Sequence, residues 1–499
     1  MKNIKIYPVC LLLLFVGMAL GQQSNEFLSR AYWKTNPSIA DIDQKIANGN
    51  DIAQLDRNMF DAVSMAIIEK TDNKTIKYLL SKKGNDVNKL THDGRTYLFW
   101  AIYRDNLEIM RFLVEKGAKT DLIDSHGYSL ANFAAVTGQL HTELYNFCLI
   151  HGADFTKEVN NDGANALLLV APFAKNYSII EYFISKGISL KSTDTNGNGI
   201  FNYAAKAGNI PLMKRLIDNG IDYKSVSTKG ENAIIFASRG LRRKTNTLET
   251  FKYLASLGIP PNITTTDGET PLHALSYKSQ DLETFKYFVD NGVNVNQANA
   301  DGNTPLLYAA SRNEEAIVRY LTSQTKNINH QNKEGKSALS NAVYRNTPEV
   351  VAFLLEKGAN INVVDKEQNN LGYYLLKNYN AKKPENFHKK LALLQRKGFN
   401  FKKPQPNGNT LFHIAVDTEN IDLIKYVQSL GIDVNQQNND GISPLHIAAM
   451  KAKNTKVLKY LLSIGADKST KTAFEESVYD LALENEVLQQ ENIDITFLK

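Results

Sequence analysis

Beyond residue 50 the hydrophobic positions fall into a two-beat rhythm. A short apolar block, such as Pro305-Leu306-Leu307-Tyr308-Ala309-Ala310, is followed by a longer amphipathic one, such as Ile109-Met110-Arg111-Phe112-Leu113-Val114-Glu115-Lys116-Gly117-Ala118. Both blocks have helical spacing. The glycine that closes the second block stops its helix at low cost by taking the left-handed conformation. A short extended piece such as Val293-Asn294-Val295-Asn296 then leads to the next unit. A polar turn stands in front of the first helix. Asp301-Gly302-Asn303-Thr304-Pro305 recurs as Asp267-Gly268-Glu269-Thr270-Pro271 and as Asp440-Gly441-Ile442-Ser443-Pro444. Asp-Gly supplies the positive φ of a tight turn, and Thr or Ser caps the helix. Pro takes the first helical position, where a missing N–H is harmless. The pattern predicts one turn-helix-helix unit written repeatedly.

The small residue five positions after the capping Thr or Ser marks each unit. The marks fall at Ala66, Ala101, Ala134, Val170, Ala204, Ala237, Leu275, Ala309, Ala342, Leu375, Ala415, Ala448 and Ala482, with 33 to 40 residues between neighbours and most often 33 or 34. A turn and two helices at this period, headed by Thr270-Pro271-Leu272-His273 and its relatives, resembles the ankyrin-repeat family. The resemblance implies an all-α ankyrin-repeat solenoid of about 13 helix-turn-helix repeats with short β-turn fingers and terminal caps. Two repeats rest on spacing more than on motif: Tyr97 replaces Pro in the second, and Asn369-Asn370-Leu371-Gly372-Tyr373-Tyr374 keeps little of the pattern in the tenth. The two widest gaps between marks place insertions at Leu241-Arg242-Arg243-Lys244-Thr245 and at the Lys-rich stretch 379–405. The tenth repeat is where the stack is expected to open first.

The expected layout is a signal peptide at 1–21, a helical cap at 22–50, about 12 repeats at 51–470, and a C-terminal capping repeat with its tail at 471–499. The cap is read as two short helices, Asn25 to Trp33 and Ser38 to Ala47, separated by Asn36-Pro37, with Ile39, Ile42 and Ile46 on one face. The first 21 residues carry Lys2 and Lys5, then an apolar run from Val9 to Leu20, then Ala19-Leu20-Gly21, a secretory signal pattern with cleavage expected after Gly21. The run is too short to cross a hydrocarbon layer of about 30 Å, so no stable membrane insertion is expected after cleavage. Cys10 stands at the start of the run, not after it, which argues against a lipid anchor. Losing Lys2 and Lys5 takes the formal charge from +6 to +4 and leaves Cys148 as the one cysteine of the mature chain, at a position the repeat reserves for a core leucine. It is read as a buried, inert thiol. The short export signal and the Lys-, Asn- and Ile-rich composition suggest a bacterial protein of the periplasm or the outside of a Gram-negative cell.

Candidate chemistry adds little. Among nine histidines, His273, His413 and His446 take the motif's His slot, where the resemblance implies hydrogen bonds between neighbouring repeats. His92 and His126 lie on adjacent turns and can approach each other, but they lack the acidic or thiol neighbours at ligand spacing that a metal needs. No phosphate loop, cysteine pair or nucleophile elbow is present. The expectation is a non-catalytic protein with no cofactor and no metal, and a monomer. Specificity in a repeat scaffold lies in a few non-core positions. The resemblance implies a concave face formed by the turns and two positions shortly after each mark. There the chain places Tyr103 and Arg104, Pro172 and Phe173, Lys206, Arg239, Tyr277 and Lys278, Arg312, Tyr344 and Arg345, and Lys377; the last three repeats hold Asp417, Lys451 and Glu484. Solvated helix faces carry Lys and Arg in any protein. Tyr and Arg in register are also the residues favoured at binding hot spots. The stripe therefore predicts an acidic protein partner, with anionic envelope glycan and a secreted host-directed role as alternatives. A charge of +4 on so long an exported chain argues against nucleic acid.

Overall fold

The structure is a computed structural model that describes residues 25–242 and 244–499; the signal-peptide reading lies outside the described residues. Two compact units are present, one ending at Ser189 and one running from Leu190 to Lys499. Both are helical, and among the described residues the only β-type pairings are isolated bridges in the turns, such as Thr91 with Arg95 and Gln331 with Ser337.

In the first unit, the chain opens with a 3-10 turn, Glu26–Leu28, and the helices Arg30–Lys34 and Ile39–Ala47. The cap's interior differs from the expected isoleucine face. Phe27, Trp33 and Ile42 are fully buried, whereas Ile39 is exposed. The reason is the aromatic plug: the Phe27 and Trp33 rings stack at 5.8 Å and Trp33 Nε1 donates to the Phe27 carbonyl at 2.7 Å, so the plug does the sealing. Four helix pairs follow, with inner helices Ala62–Glu69, Tyr97–Tyr103, Leu130–Val136 and Ala166–Val170, each packed on the next.

The second unit holds nine pairs, from the inner helix Ile200–Lys206 to Val478–Leu483. Each mark of the sequence falls inside an inner helix, and the marks are buried because inner helices pack against their neighbours along the stack. Each outer helix adds a second apolar layer, as in Leu282–Asp290, where Phe285 and Phe288 are fully buried. The turns are stitched to one another by single backbone bonds, such as Lys333 N–H to the Asp301 carbonyl at 2.9 Å. Gly302 permits this. Its φ is 79°, and a Cβ there would stand 2.9 Å from the Lys333 nitrogen.

At several junctions of this unit an asparagine ladder joins consecutive repeats. Asn346 Nδ2 donates to the carbonyls of Ala309, Ala310 and Asn313 at 3.4, 3.1 and 3.0 Å, at the C-terminus of the preceding inner helix, where Ala309 also accepts the Asn313 N–H. Asn313 does the same for Ser276 and Ser279, and Asn485 for Ala449 and Ala452. Asn246 regains the position after the insertion at 241–245, donating to Ala205 and Lys206, so the insertion leaves the ladder intact. Asn346→Leu leaves buried carbonyls unmet and is expected to lower the stability of the chain by about 2 kcal/mol, read as a reduced urea midpoint with unchanged helicity.

The tenth repeat departs from this scheme. Its Lys-rich stretch, expected as an insertion, is an outer helix of 13 residues, Pro384–Arg396. Tyr379 holds the ladder position. Lys390, 4% exposed, reaches back instead and donates to the carbonyls of Ala342 and Val343 at 3.3 and 2.9 Å. The C-terminal pair is also fuller than expected, because the acidic tail forms a helix, Glu486–Gln490. Gln489 Nε2 donates to the Leu483 carbonyl, so this last inner helix is closed from within its own repeat.

Candidate functional site

Inner helices end where the Tyr and Arg stripe begins, so the repeat itself places each candidate side chain one helical turn past a buried mark. In the first unit, Tyr103 meets Trp100 edge-on at 6.5 Å, and the Arg104 guanidinium lies over the Tyr103 ring at 4.8 Å. Arg104 Nε is shielded from solvent and has no acceptor. Pro172 is buried, and Phe173 is half-buried against Gly138, whose added Cβ would stand 2.9 Å from the ring. Phe173 therefore packs within the stack.

The second unit divides its candidates into engaged and open groups. Lys206 is half-buried at the end of its helix. Arg239 forms an ion pair with Glu231 at 2.5 Å, and Glu231 is itself buried. Lys278 Nζ donates to the Leu241 carbonyl at 2.8 Å, and burial pulls its pKa down. Lys377 is bound to Asp417, which Lys451 grips from the other side. Burial opposes ionisation of Asp417, but the hydrogen bonds from the two lysines outweigh it and hold the carboxyl below its usual range. Arg312 and Arg345 are different. Arg312 lies over the Tyr277 ring at 4.3 Å from the following repeat, and Arg345 over the Tyr344 ring at 4.9 Å. Both arginines are exposed, and Tyr277 is 45% exposed. Among the described residues, neither guanidinium has a carboxylate within ion-pair distance. Stacking on an aromatic face fixes the guanidinium plane while its N–H edge stays open to an incoming carboxylate.

Two open cavities run along the same side of this unit, of about 300 and 360 Å³. They share Asn369, Tyr373 and Lys377, so they form one groove. Tyr344 and Tyr374, with ring centroids 6.0 Å apart, wall its first part. Asp417, Lys451 and Met450 line the second. The charge of the groove is therefore mixed, since Glu334, Asp365 and Glu367 line the first cavity. Spacing draws the stripe without Tyr373 and Tyr374, and it names Lys377, Asp417 and Lys451 without joining them as one cluster. A Tyr-Tyr pair beside a mark was the available signal for the former.

The histidines behave as the motif implies. His273 Nδ1 accepts from the Thr270 N–H at 3.0 Å while Nε2 donates to the Asn303 carbonyl at 3.1 Å, one repeat on. His413 and His446 repeat the arrangement with Thr410 and Ile442, and with Ser443 and Thr470. Burial lowers the pKa of all three. His92 and His126 do approach each other, with Nε2 atoms 3.4 and 3.3 Å from the same Asp93 oxygen. That oxygen also takes Arg95 Nη1 at 3.0 Å, a cation where a metal would have to stand. Among the described residues no group of three His, Cys, Asp or Glu side chains is placed so that it could hold a metal ion. Cys148 is buried, and that burial pushes its thiol up to about 12, which suppresses thiolate chemistry.

Stacked helix pairs, turn fingers and an open row of side chains at the inner-helix ends define a repeat scaffold. A family model for ankyrin repeats, three copies long, matches residues 63–159, 167–265, 234–332, 275–365 and 378–472. This chain belongs to the ankyrin-repeat family. Over 63 residues it is 35% identical to protein phosphatase 1 regulatory subunit 27 of Mus musculus and, equally, of Homo sapiens, covering 13% of this chain. It spans 40% of the length of those curated relatives. The crystal structure of the human ASB11 ankyrin repeat domain aligns with 44% of this chain and 96% of its own, at 24% identity and a TM-score of 0.37. The ankyrin-repeat fold typically serves as a non-catalytic protein-interaction scaffold. Among the described residues no helix is long and apolar enough to cross a membrane.

Proposed function

We propose that this protein is an exported, non-catalytic scaffold that binds an acidic segment of another protein through the aromatic and basic side chains at its inner-helix ends. The observation that carries the reading is the pair of open stacks, Arg312 on Tyr277 and Arg345 on Tyr344, whose guanidinium edges have no carboxylate of their own. Tyr contributes rigid contact area at small entropy loss, and Arg contributes charge-assisted bonds to carboxylates. The signal-like first 21 residues support export to the periplasm or beyond, with a mature chain starting at Gln22.

The test is affinity capture from native envelope extract with the chain Gln22–Lys499 as bait, beside the triple variant Arg104→Glu, Arg312→Glu, Arg345→Glu. The expected result is a protein retained by the unchanged bait and lost by at least tenfold with the variant, at equal helicity, because each reversal turns an attraction into a repulsion. Equal retention by both baits overturns the reading. Retention on an anionic polysaccharide column at physiological salt, with no protein captured, replaces it with the glycan reading.

A further inference from the structure

In most repeats of the second unit the turn opens on a short polar side chain that folds back on its own backbone. Asn332 Oδ1 accepts from the N–H groups of Glu334 and Lys336, Asp365 Oδ1 from Asn369, and Asn438 Oδ1 from Asp440 and Ile442, all at 2.8–3.0 Å. The eleventh repeat places Gln405 at this point. One methylene longer than Asn, it leaves the role to Asn407, whose Oδ1 takes the Asn409 N–H at 3.0 Å. Gln405 is 4% exposed, lines the larger cavity, and its Nε2 donor has no partner. A buried amide N–H without an acceptor is unfavourable by about 1–3 kcal/mol, so the position has a stated demand for an acceptor in the cavity.

The rest of the cavity specifies what carries that acceptor. Asn438 Nδ2 is spent on Asn409 Oδ1 at 2.9 Å, so those amides turn to each other. Lys377 and Lys451 share the single carboxylate of Asp417, which leaves one positive charge of the three uncompensated. Buried His413 is held in its neutral form by accepting the Thr410 N–H and adds no charge. Tyr373 and Met450, the latter 38% exposed, supply apolar wall. The cavity is open and continues into the next one through Asn369, Tyr373 and Lys377, a shape that fits a chain better than a compact molecule.

We infer that this cavity is a subsite for an extended acidic peptide, with a backbone carbonyl of the peptide accepting from Gln405 Nε2 and an adjacent carboxylate seated between Lys451 and Lys377. The carboxylate comes from an Asp or Glu side chain or from the peptide's own C-terminus. The inference rests on the scaffold reading above and names the part of the partner that enters the far end of this groove, whose first part is walled by Tyr344 of the Arg345 stack.

Gln405→Asn separates ligand demand from simple structure. It installs the residue that closes the equivalent turns at Asn332 and Asn438, so the chain is expected to keep or raise its urea midpoint while losing the unpartnered amide beside the cavity. The probe is a fluorescein-labelled octapeptide library with Glu fixed at each position in turn, in acid and amide C-terminal forms, read by fluorescence polarisation against the chain Gln22–Lys499. The expected result is binding of one or more Glu-fixed pools that weakens about tenfold with Gln405→Asn and with Lys451→Met. Loss of binding by the amide forms alone assigns the carboxylate to the C-terminus; equal binding by both forms assigns it to the side chain. Undiminished binding by Gln405→Asn overturns the subsite, whether the triple arginine reversal abolishes binding, which leaves the scaffold reading standing, or has no effect, which removes both. Binding lost with Gln405→Asn but kept by the arginine reversal leaves the subsite and removes the stripe. No binding by any pool overturns the subsite as well.

Discussion

Lowering the pH from 7.5 to 5 is expected to weaken the second unit steeply below pH 6.5, through His273, His413 and His446. Each ring is buried as the neutral tautomer, with Nδ1 accepting a backbone N–H of its own repeat and Nε2 donating to a carbonyl of the next. A proton on Nδ1 removes the first bond and places a charge in the interior. Burial lowers each folded-state pKa below the ordinary 6.5. The unfolded chain therefore binds protons that the folded chain refuses, and stability falls as pH drops through 6.5 toward the folded values; above 6.5 the contribution is complete. The comparison is the triple variant His273→Ser, His413→Ser, His446→Ser. Ser340 already performs the same cap in the ninth repeat, where its Oγ accepts the Ser337 N–H at 2.8 Å. The variant keeps the caps and loses only the bonds between repeats. Urea midpoints at pH 7.5, 6 and 5 are expected to fall for the native chain and to stay nearly level for the variant, which starts about 1–3 kcal/mol lower. Parallel decline of the two would place the acid sensitivity in other groups.

Lys390 is expected to act in the same sense at higher pH. Its burial brings the ammonium pKa down to about 8 from the ordinary 10.5. Between those values the unfolded chain holds the proton and the folded chain sheds it, so this residue adds stability as pH rises from 8, up to about 3 kcal/mol by linkage. Below pH 8 it is charged in both states, and its ammonium sits at the negative end of the helix Ala338–Arg345. Lys390→Met deletes the charge and the bonds to the Ala342 and Val343 carbonyls, of which Ala342 keeps the Asn346 N–H. In urea unfolding, the native chain is expected to gain about 2 kcal/mol on Lys390→Met between pH 7 and pH 9.5. Equal shifts in both proteins would mean that water reaches the amine.

The repeats were legible because their signals are local. A cap, a turn glycine and a small residue on the crowded side of a helix each act within one repeat, so every mark from Ala66 to Ala482 falls in an inner helix. The bonds between repeats were legible only where one residue type recurs in register, as with the three motif histidines. Lys390 was not, because it reaches the Ala342 carbonyl from 48 positions away and from the middle of an outer helix rather than from the ladder position. The engaged cations were hidden for a related reason. Spacing puts Lys377 and Arg239 in line with Arg312 and Arg345, but whether a carboxylate meets them depends on contacts between positions: Glu231 lies outside the compared slots, and Asp417 lies in one of them but a full repeat beyond Lys377. Gln405 reads in sequence as an ordinary polar turn residue, and only its extra methylene, set against the closed turns of its neighbours, distinguishes it.

The asparagine ladder gives the second unit a direction of assembly. Each amide satisfies carbonyls of the repeat before it, so at these junctions a repeat emerging from the ribosome is unfinished until its successor arrives and locks it. A nascent chain would then carry one raw end at a time, always the newest, for chaperones to cover. Gln489, which turns back on the inner helix of its own repeat, ends that succession. Growth of this kind resembles a ratchet more than a collapse, its clicks made by side-chain amides and, at the tenth repeat, by Lys390.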